Sequence, residues 1–252
     1  MIGAIWAWLT DPTSWSGTGG IGARLVEHVR YTLIVIALAA AVAIPLGLFV
    51  GHTGRGRWLV TGANAARAVP TLGLLFGLSL WLGPRLHSDL AFSLPSIVVL
   101  VVLAIPPILA GAYAGVESVD PAARDAATGM GMGPGEVLRR VEIPIALPLL
   151  LSGLRAATMQ VIATATIAAY VGLGGLGRYL VDGLAAGQYD VTAGGALLVS
   201  GLALLVDVLW AGAARGLVSP GLVASGPVRP GRTGKDHRAR GVVTPTTAQA
   251  GG

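Results

Sequence analysis

Five stretches of this chain run for about 20 residues or more with almost no charge, and that pattern leaves few folds open. Tyr31 to Val50 is 20 uncharged residues, and Trp58 to Leu82, Ala91 to Val116, Leu154 to Leu173 and Thr192 to Ala213 follow it. About 20 apolar residues make a helix long enough to cross the hydrocarbon layer of a bilayer. A soluble domain carries about 25% charged residues; this 252-residue chain carries 12%, with 54% hydrophobic residues and a mean hydropathy of +0.73. The expectation is an all-α polytopic membrane protein of about five transmembrane helices. Two spans are broken by proline: the second at Ala68-Val69-Pro70, the third by Pro95, Pro106 and Pro107. Membrane helices tolerate such breaks because neighbours re-satisfy the backbone, and the resulting kinks suit a moving gate better than a rigid anchor.

Several chemistries are excluded by what is missing. There is no Cys, so disulfides, thiolate nucleophiles and Cys-ligated metals are out. The single Lys, Lys235, is followed by Asp236, so no phosphate-binding Gly-Lys-Ser/Thr loop exists and the chain cannot be its own ATPase. No Gly-x-Ser-x-Gly elbow appears. His28, His52, His87 and His237 are isolated in the sequence, which argues against a metal site. Gly172-x-Gly174-x-x-Gly177 formally matches a dinucleotide fingerprint, but that needs a preceding strand, and here a membrane span precedes it. A flexible turn is the expected reading, and no cofactor is expected. The net charge of +5 lies in loops and a tail, so it is not a nucleic-acid signal.

Residues 1–27 do not read as a signal peptide, because no basic residue precedes the apolar run and Asp11-Pro12 breaks it early. Trp6, Trp8 and Trp15 suit either a segment at the membrane surface or a frayed end. The expected organisation is an extracytoplasmic segment over 1–27, a transmembrane domain over 28–215, and a disordered basic cytoplasmic tail over 216–252, where Pro, Gly, Thr and Arg dominate. Placing the N-terminus outside puts eleven basic residues in inner segments and four in outer ones, and the excess belongs inside. Arg155 and Asp207 are charges within or beside spans, where charge is costly and faces a partner. They are expected to pair with each other, or Arg155 to snorkel to the interface.

One polar, Gly- and Pro-broken insert, Glu117 to Pro144, interrupts this apolar chain, and the charge bias places it in the cytoplasm. Asp120-Pro121 reads as a helix start, and Gly129, Gly131 and Gly133 as its end, with a left-handed backbone at Gly131. Pro134 should open a second short helix over 135–141 that stops before Pro144. Ala126 and Ala127 keep the first helix thin enough for a partner groove, and Asp125 offers a charge to a basic residue there.

The frame Asp125-Ala126-Ala127, then Gly131, then Val141-Glu142-Ile143-Pro144 resembles the Glu-Ala-Ala coupling loop of ABC-importer permeases, with Asp for Glu, Val for Ile and Ile for Leu. Three further stretches resemble the osmoprotectant branch of that family: Arg67 to Leu75, Ser152 to Arg155, and Gly172 to Gly177. The resemblance covers about residues 25–215. It implies the methionine-permease-like fold, and a non-catalytic subunit working with a second, identical or homologous permease, ABC ATPases and an extracytoplasmic substrate-binding protein. It assigns ATPase coupling to Asp125, Ala126, Ala127, Gly131, Val141, Ile143 and Pro144, and the gate or translocation path to Pro70, Thr71, Gly172, Gly174, Gly175 and Gly177. The implied cargo is a quaternary-amine osmoprotectant such as glycine betaine, choline, carnitine or proline betaine. The alternatives are methionine or a sulfonate- or nitrate-type anion through the same machinery, or an ATP-independent secondary transporter or channel. The last would call for inverted repeats or mid-span charges, which the sequence barely offers.

Overall fold

The computed structural model describes residues 2–86 and 90–217. The tail expected to be disordered, apart from its first two residues, lies outside the described residues. Among the described residues every regular element is helical. The chain order is α1 (Ile2–Thr10), α2 (Pro12–Trp15), α3 (Ile21–Thr53), α4 (Arg57–Ala65), α5 (Thr71–Leu82), α6 (Leu90–Glu117), α7 (Pro121–Gly129), α8 (Pro134–Val137), α9 (Ile143–Ala168), α10 (Gly177–Ala185) and α11 (Tyr189–Leu217). Four helical stretches are long and apolar enough to cross a membrane. A fifth crossing comes from the broken pair Arg57–Ala68 and Thr71–Arg85, which bend by 91° at the Val69-Pro70 break.

The directions of the helices follow from which residues touch. A Cβ built on Gly47 would meet Ala112, and one on Gly51 would meet Val116, so α3 and α6 run parallel. The broken pair must therefore return the chain from the end of α3 to the start of α6. A Cβ on Gly115 would meet Ala146, and one on Gly111 would meet Leu149 and Gly153, so α9 runs antiparallel to α6. One end of the bundle thus gathers the last turns of α3 and α6 with the 117–142 loop; the other gathers the starts of α3 and α6 with the 172–177 turn. Because α11 returns from that second end, the two ends of the described chain lie on opposite sides of the bundle.

Lipid tails are as apolar as leucine, so membrane helices associate through close packing and hydrogen bonds rather than through water exclusion. The sequence meets this with small residues at four-residue spacing. Ala39, Ala43, Gly47 and Gly51 line the face of α3 toward α6, and Gly111 and Gly115 line α6 toward α9. At the Gly111–Gly153 crossing the backbones nearly touch: a Cβ on Gly153 would sit 2.6 Å from the Pro107 carbonyl oxygen and 3.1 Å from Gly111 Cα. The core continues through Val35 on α3, Leu75 on α5, Leu100, Leu103 and Ile108 on α6, and Val161 and Ala165 on α9. Half of the apolar window of α6 is buried against 6% for α11. So α6 is the centre of the bundle, and α11 offers its surface to lipid or to another subunit.

Several expected boundaries change. The first span starts at Ile21, not Tyr31, so α3 passes unbroken through the expected 27/28 boundary. The N-terminal segment is packed rather than frayed. Trp8 lies edge-on to Tyr179 at 5.1 Å, against the Gly194 stretch of α11, and the Tyr179 hydroxyl donates to the Gly19 carbonyl at 2.7 Å. The second loop helix does not stop before Pro144: α8 widens into a π-helical turn over Leu138–Glu142 and continues into α9. Pro144 lacks an amide hydrogen and its ring clashes with the carbonyl four residues back. That carbonyl belongs to Arg140, and the π turn, which spaces backbone partners more widely, lets the helix run on. The helix α10 was not expected; its surface carries an Arg178–Asp182 pair at 2.8 Å, one turn apart.

The α6–α9 crossing gives a direct test. Gly153→Leu must push backbone rather than a flexible side chain, so it should destabilise the purified protein by about 3 kcal/mol, the upper part of the overpacking range. Gly201→Leu, on α11 with nothing near its Cβ, should leave the thermal unfolding midpoint in detergent unchanged. Equal midpoints for the two variants would contradict the packing.

Candidate functional site

The insert between α6 and α9 folds into a knob whose two sides differ. Asp120 caps α7, its carboxylate accepting from the Ala122 amide at 2.9 Å, with Pro121 in the first helical position. The helix ends at Gly131 in a left-handed conformation, φ +89°. There the Met132 amide donates to Ala127 O at 3.2 Å and the Gly131 amide to Thr128 O at 2.9 Å. These two bonds satisfy carbonyls that a helix end leaves orphaned, and the left-handed residue they require is almost free for Gly. The space around the Gly131 Cβ position is empty, so backbone conformation is what demands glycine here.

Asp125 and Ala126 point outward and are exposed, whereas Ala127 is 1% exposed and packs into this chain. Of the two alanines, only Ala126 is open to a partner. Val141 and Ile143 are half-buried along the π turn and the start of α9, and Pro144 is exposed. On the outer surface of α8 and the π turn, Glu136 and Arg140 pair at 3.0 Å, with Arg139 exposed beside them.

Beneath the knob lies a cluster that reading the sequence missed. Glu142, 1% exposed, accepts from His52 Nδ1 at 2.6 Å and forms an ion pair with Arg124 Nε at 2.8 Å. Arg124 Nη2 also donates to the Val116 carbonyl in the last turn of α6, where a cation suits the negative end of the helix dipole. Nearby, Arg57 on α4 pairs with Glu117 at 3.2 Å, and the Tyr113 hydroxyl donates to the same carboxylate at 2.6 Å. His52 is isolated along the chain but not in space. The available signal was Glu142 itself, a lone carboxylate at the head of an apolar run.

The residues expected along the path fall in two places. Pro70 and Thr71 form the break between the two halves of the second span, with Pro70 at the N-cap of α5. At the opposite end from the knob, Gly172 (φ +94°) and Gly175 (φ +85°) turn the chain between α9 and α10, while Gly174 and Gly177 are close-approach positions. A Cβ on Gly177 would meet the Thr166 backbone at 2.7 Å, and one on Gly174 would strike the Glu27 carboxylate. Glu27 accepts from the Gly175 amide at 2.8 Å and from Arg24 Nη1 at 2.9 Å, and the buried His28 ring fills the space beside Gly175. This turn is thus clamped to α3, and α5 packs against its leading residues.

Arg155 and Asp207 meet face to face across α9 and α11: Nε to Oδ1 at 2.6 Å and Nη2 to Oδ2 at 2.7 Å. The two-toothed geometry fixes orientation as well as charge. Arg155 reaches a partner rather than the interface.

Comparison with known proteins agrees with these features. Residues 43–221 match the family described as binding-protein-dependent transport system inner membrane component. The chain is 34% identical over 200 residues to the choline transport system permease protein OpuBB of Bacillus subtilis, covering 79% of this chain and 89% of the relative. It is 34% identical over 182 residues to the carnitine transport permease protein OpuCB of Listeria monocytogenes, covering 72% and 80%. It is 30% identical over 195 residues to the osmoprotectant import permease protein OsmW of Salmonella typhimurium, covering 76% and 88%. Among solved structures, an inward-facing MetNI methionine ABC transporter chain superposes with a TM-score of 0.67 at 21% identity, covering 79% of this chain and 96% of that one, which shows the methionine-permease-like fold. With its bundle, its knob and these matches together, the chain belongs to the family of inner-membrane permease components of binding-protein-dependent ABC importers, among the relatives of the osmoprotectant permeases.

Proposed function

We propose that this chain is the non-catalytic permease subunit of an ATP-driven importer for quaternary-amine osmoprotectants. It would sit in the cytoplasmic membrane with its N-terminus outside, and its 117–144 loop would dock on a separate ABC ATPase. The observation that carries the coupling role is the two-sided knob: α7 is capped at both ends and anchored on its inner face, yet presents Asp125 and Ala126 uncovered. A thin face with one carboxylate fits a groove that offers a basic residue. The charge bias supports the orientation, because the knob, with Arg124, Arg139 and Arg140, lies at the same end of the bundle as the last turn of α11 with Arg215.

Closure of two ATPases would displace two such knobs, one per permease. Each knob is continuous with α9 through the π turn and tied to the end of α6 through Arg124, so displacement tilts the helices that carry the glycine turn at the far end. The substrate, delivered there by an extracytoplasmic binding protein, would pass between two permeases. The cargo reading rests on relatives whose names specify choline, carnitine and osmoprotectant transport. A quaternary ammonium is held well by clustered aromatic rings, and this chain has few, so the binding protein is expected to supply most of the affinity.

Gly131→Leu should strain the left-handed turn by about 1–2 kcal/mol and misplace α7 without touching the spans. Uptake and ATPase stimulation should fall while the amount of membrane-inserted protein stays normal; wild-type uptake would remove the coupling argument. For the cargo, the complete transporter with its cognate ATPase and binding protein should accumulate labelled glycine betaine, choline or carnitine. Accumulation of methionine or taurine alone would refute the cargo assignment and leave the coupling loop standing.

A further inference from the structure

Glu142 is the most deeply buried carboxylate among the described residues, at 1% exposure, and the coupling surface makes no direct use of it. It sits in the π turn at the base of the knob, and its two oxygens face different elements. Oε2 accepts from His52 in the last turn of α3 at 2.6 Å. Oε1 lies 2.8 Å from Arg124 Nε on α7, and the same guanidinium holds the Val116 carbonyl in the last turn of α6. One carboxylate therefore joins α3, α6, α7 and the head of α9.

A buried, unpaired carboxylate is strongly disfavoured, whereas replacing a whole buried pair by apolar groups is often neutral. Such a cluster adds little stability beyond what packing could supply, but it fixes geometry, because every partner must stay in place to keep the charge satisfied. The packing around it has no slack either: Gly51 abuts Val116, and Gly115 abuts Ala146. Arg124 immediately precedes Asp125 and Ala126, on the inner face of the same short helix.

We propose that Glu142 is a positioning residue that locks the coupling knob to the end of α3, so that the knob and the ends of α3, α6 and α9 move as one block during transport. The inference rests on the coupling reading of the loop and adds the route by which its motion reaches the first span.

The chain has no Cys, so spin labels at Arg55→Cys and Met130→Cys, both exposed, would be unique in this subunit and report the separation of the end of α3 from the knob. The protein is the reconstituted transporter with its ATPase and binding protein. With Glu142 present, one narrow inter-label distance should persist in nucleotide-free and ATP-trapped states. Glu142→Gln and His52→Leu should broaden that distance, make it differ between the two states, and lower uptake roughly two- to thirtyfold, the range expected when a coupling contact is lost. His52→Asn, which keeps a donor toward the carboxylate, should retain both the distance and the uptake. Glu142→Gln with unchanged distance overturns the proposal whether or not uptake falls, since a fall alone assigns Glu142 only a part in folding. If Glu142→Gln does not accumulate, His52→Leu decides, because it leaves the Arg124 pair intact: an unchanged distance overturns the proposal. Failure of the coupling reading is separately visible, because then Gly131→Leu would transport normally.

Discussion

The close crossing of α6 with α9 and α3 is the contact on which the other features depend. In a bilayer, helices gain little by hiding leucines from one another, so backbones must approach until dispersion and weak polar contacts hold them. Glycine and alanine at positions 39, 43, 47 and 51 of α3, at 111 and 115 of α6, and at 146 and 153 of α9 allow that approach. The result is a three-helix slab with α6 in the middle. Its ends are fixed to within a side chain, which is why one end can carry a precisely oriented knob and the other a clamped glycine turn. The bent second span and α11 lie against this slab, and α11 stays almost uncovered.

The two ends use charge differently. At the far end, Arg24, Glu27 and the Gly175 amide tie the start of α3 to the turn that follows α9. At the knob end, His52, Glu142 and Arg124 tie the finish of α3 to the loop that precedes α9. A rigid slab with polar clasps at both ends is suited to carrying a displacement from one side of a membrane to the other, since packed interfaces shift between discrete arrangements rather than deforming continuously. The Arg155–Asp207 pair holds α11 to the same slab part-way along.

The membrane spans were legible because sustained apolarity needs no tertiary context. Their limits were not. Arg24, Glu27 and Arg30 made the start of α3 look like a polar flank, although Glu27 is satisfied by a backbone amide far along the chain. Pro144 read as a stop, yet a π turn over Leu138–Glu142 carries the helix past it. The left-handed Gly131 and the Asp120 cap could be read because both are local backbone chemistry. The inward turn of Ala127, the Trp8–Tyr179 contact and the Glu142 cluster could not, since each depends on which distant helix happens to lie alongside. Arg155 and Asp207 lie between these cases: the cost of charge in lipid announced that each needed a partner, and the fold supplied the pairing.

The central claim is that the exposed face of α7 meets an ATPase on the cytoplasmic side. Site-specific cross-linking from Ala126, introduced as a single Ala126→Cys in a chain that has no other cysteine, tests it most directly in membranes holding the whole transporter. A cross-link from Ala126 to the ATPase subunit, with none from Thr18→Cys at the opposite end of the bundle, is the predicted result. A cross-link to the ATPase from Thr18, or none from Ala126 when the transporter is assembled and active, would contradict both the orientation and the coupling role of the loop.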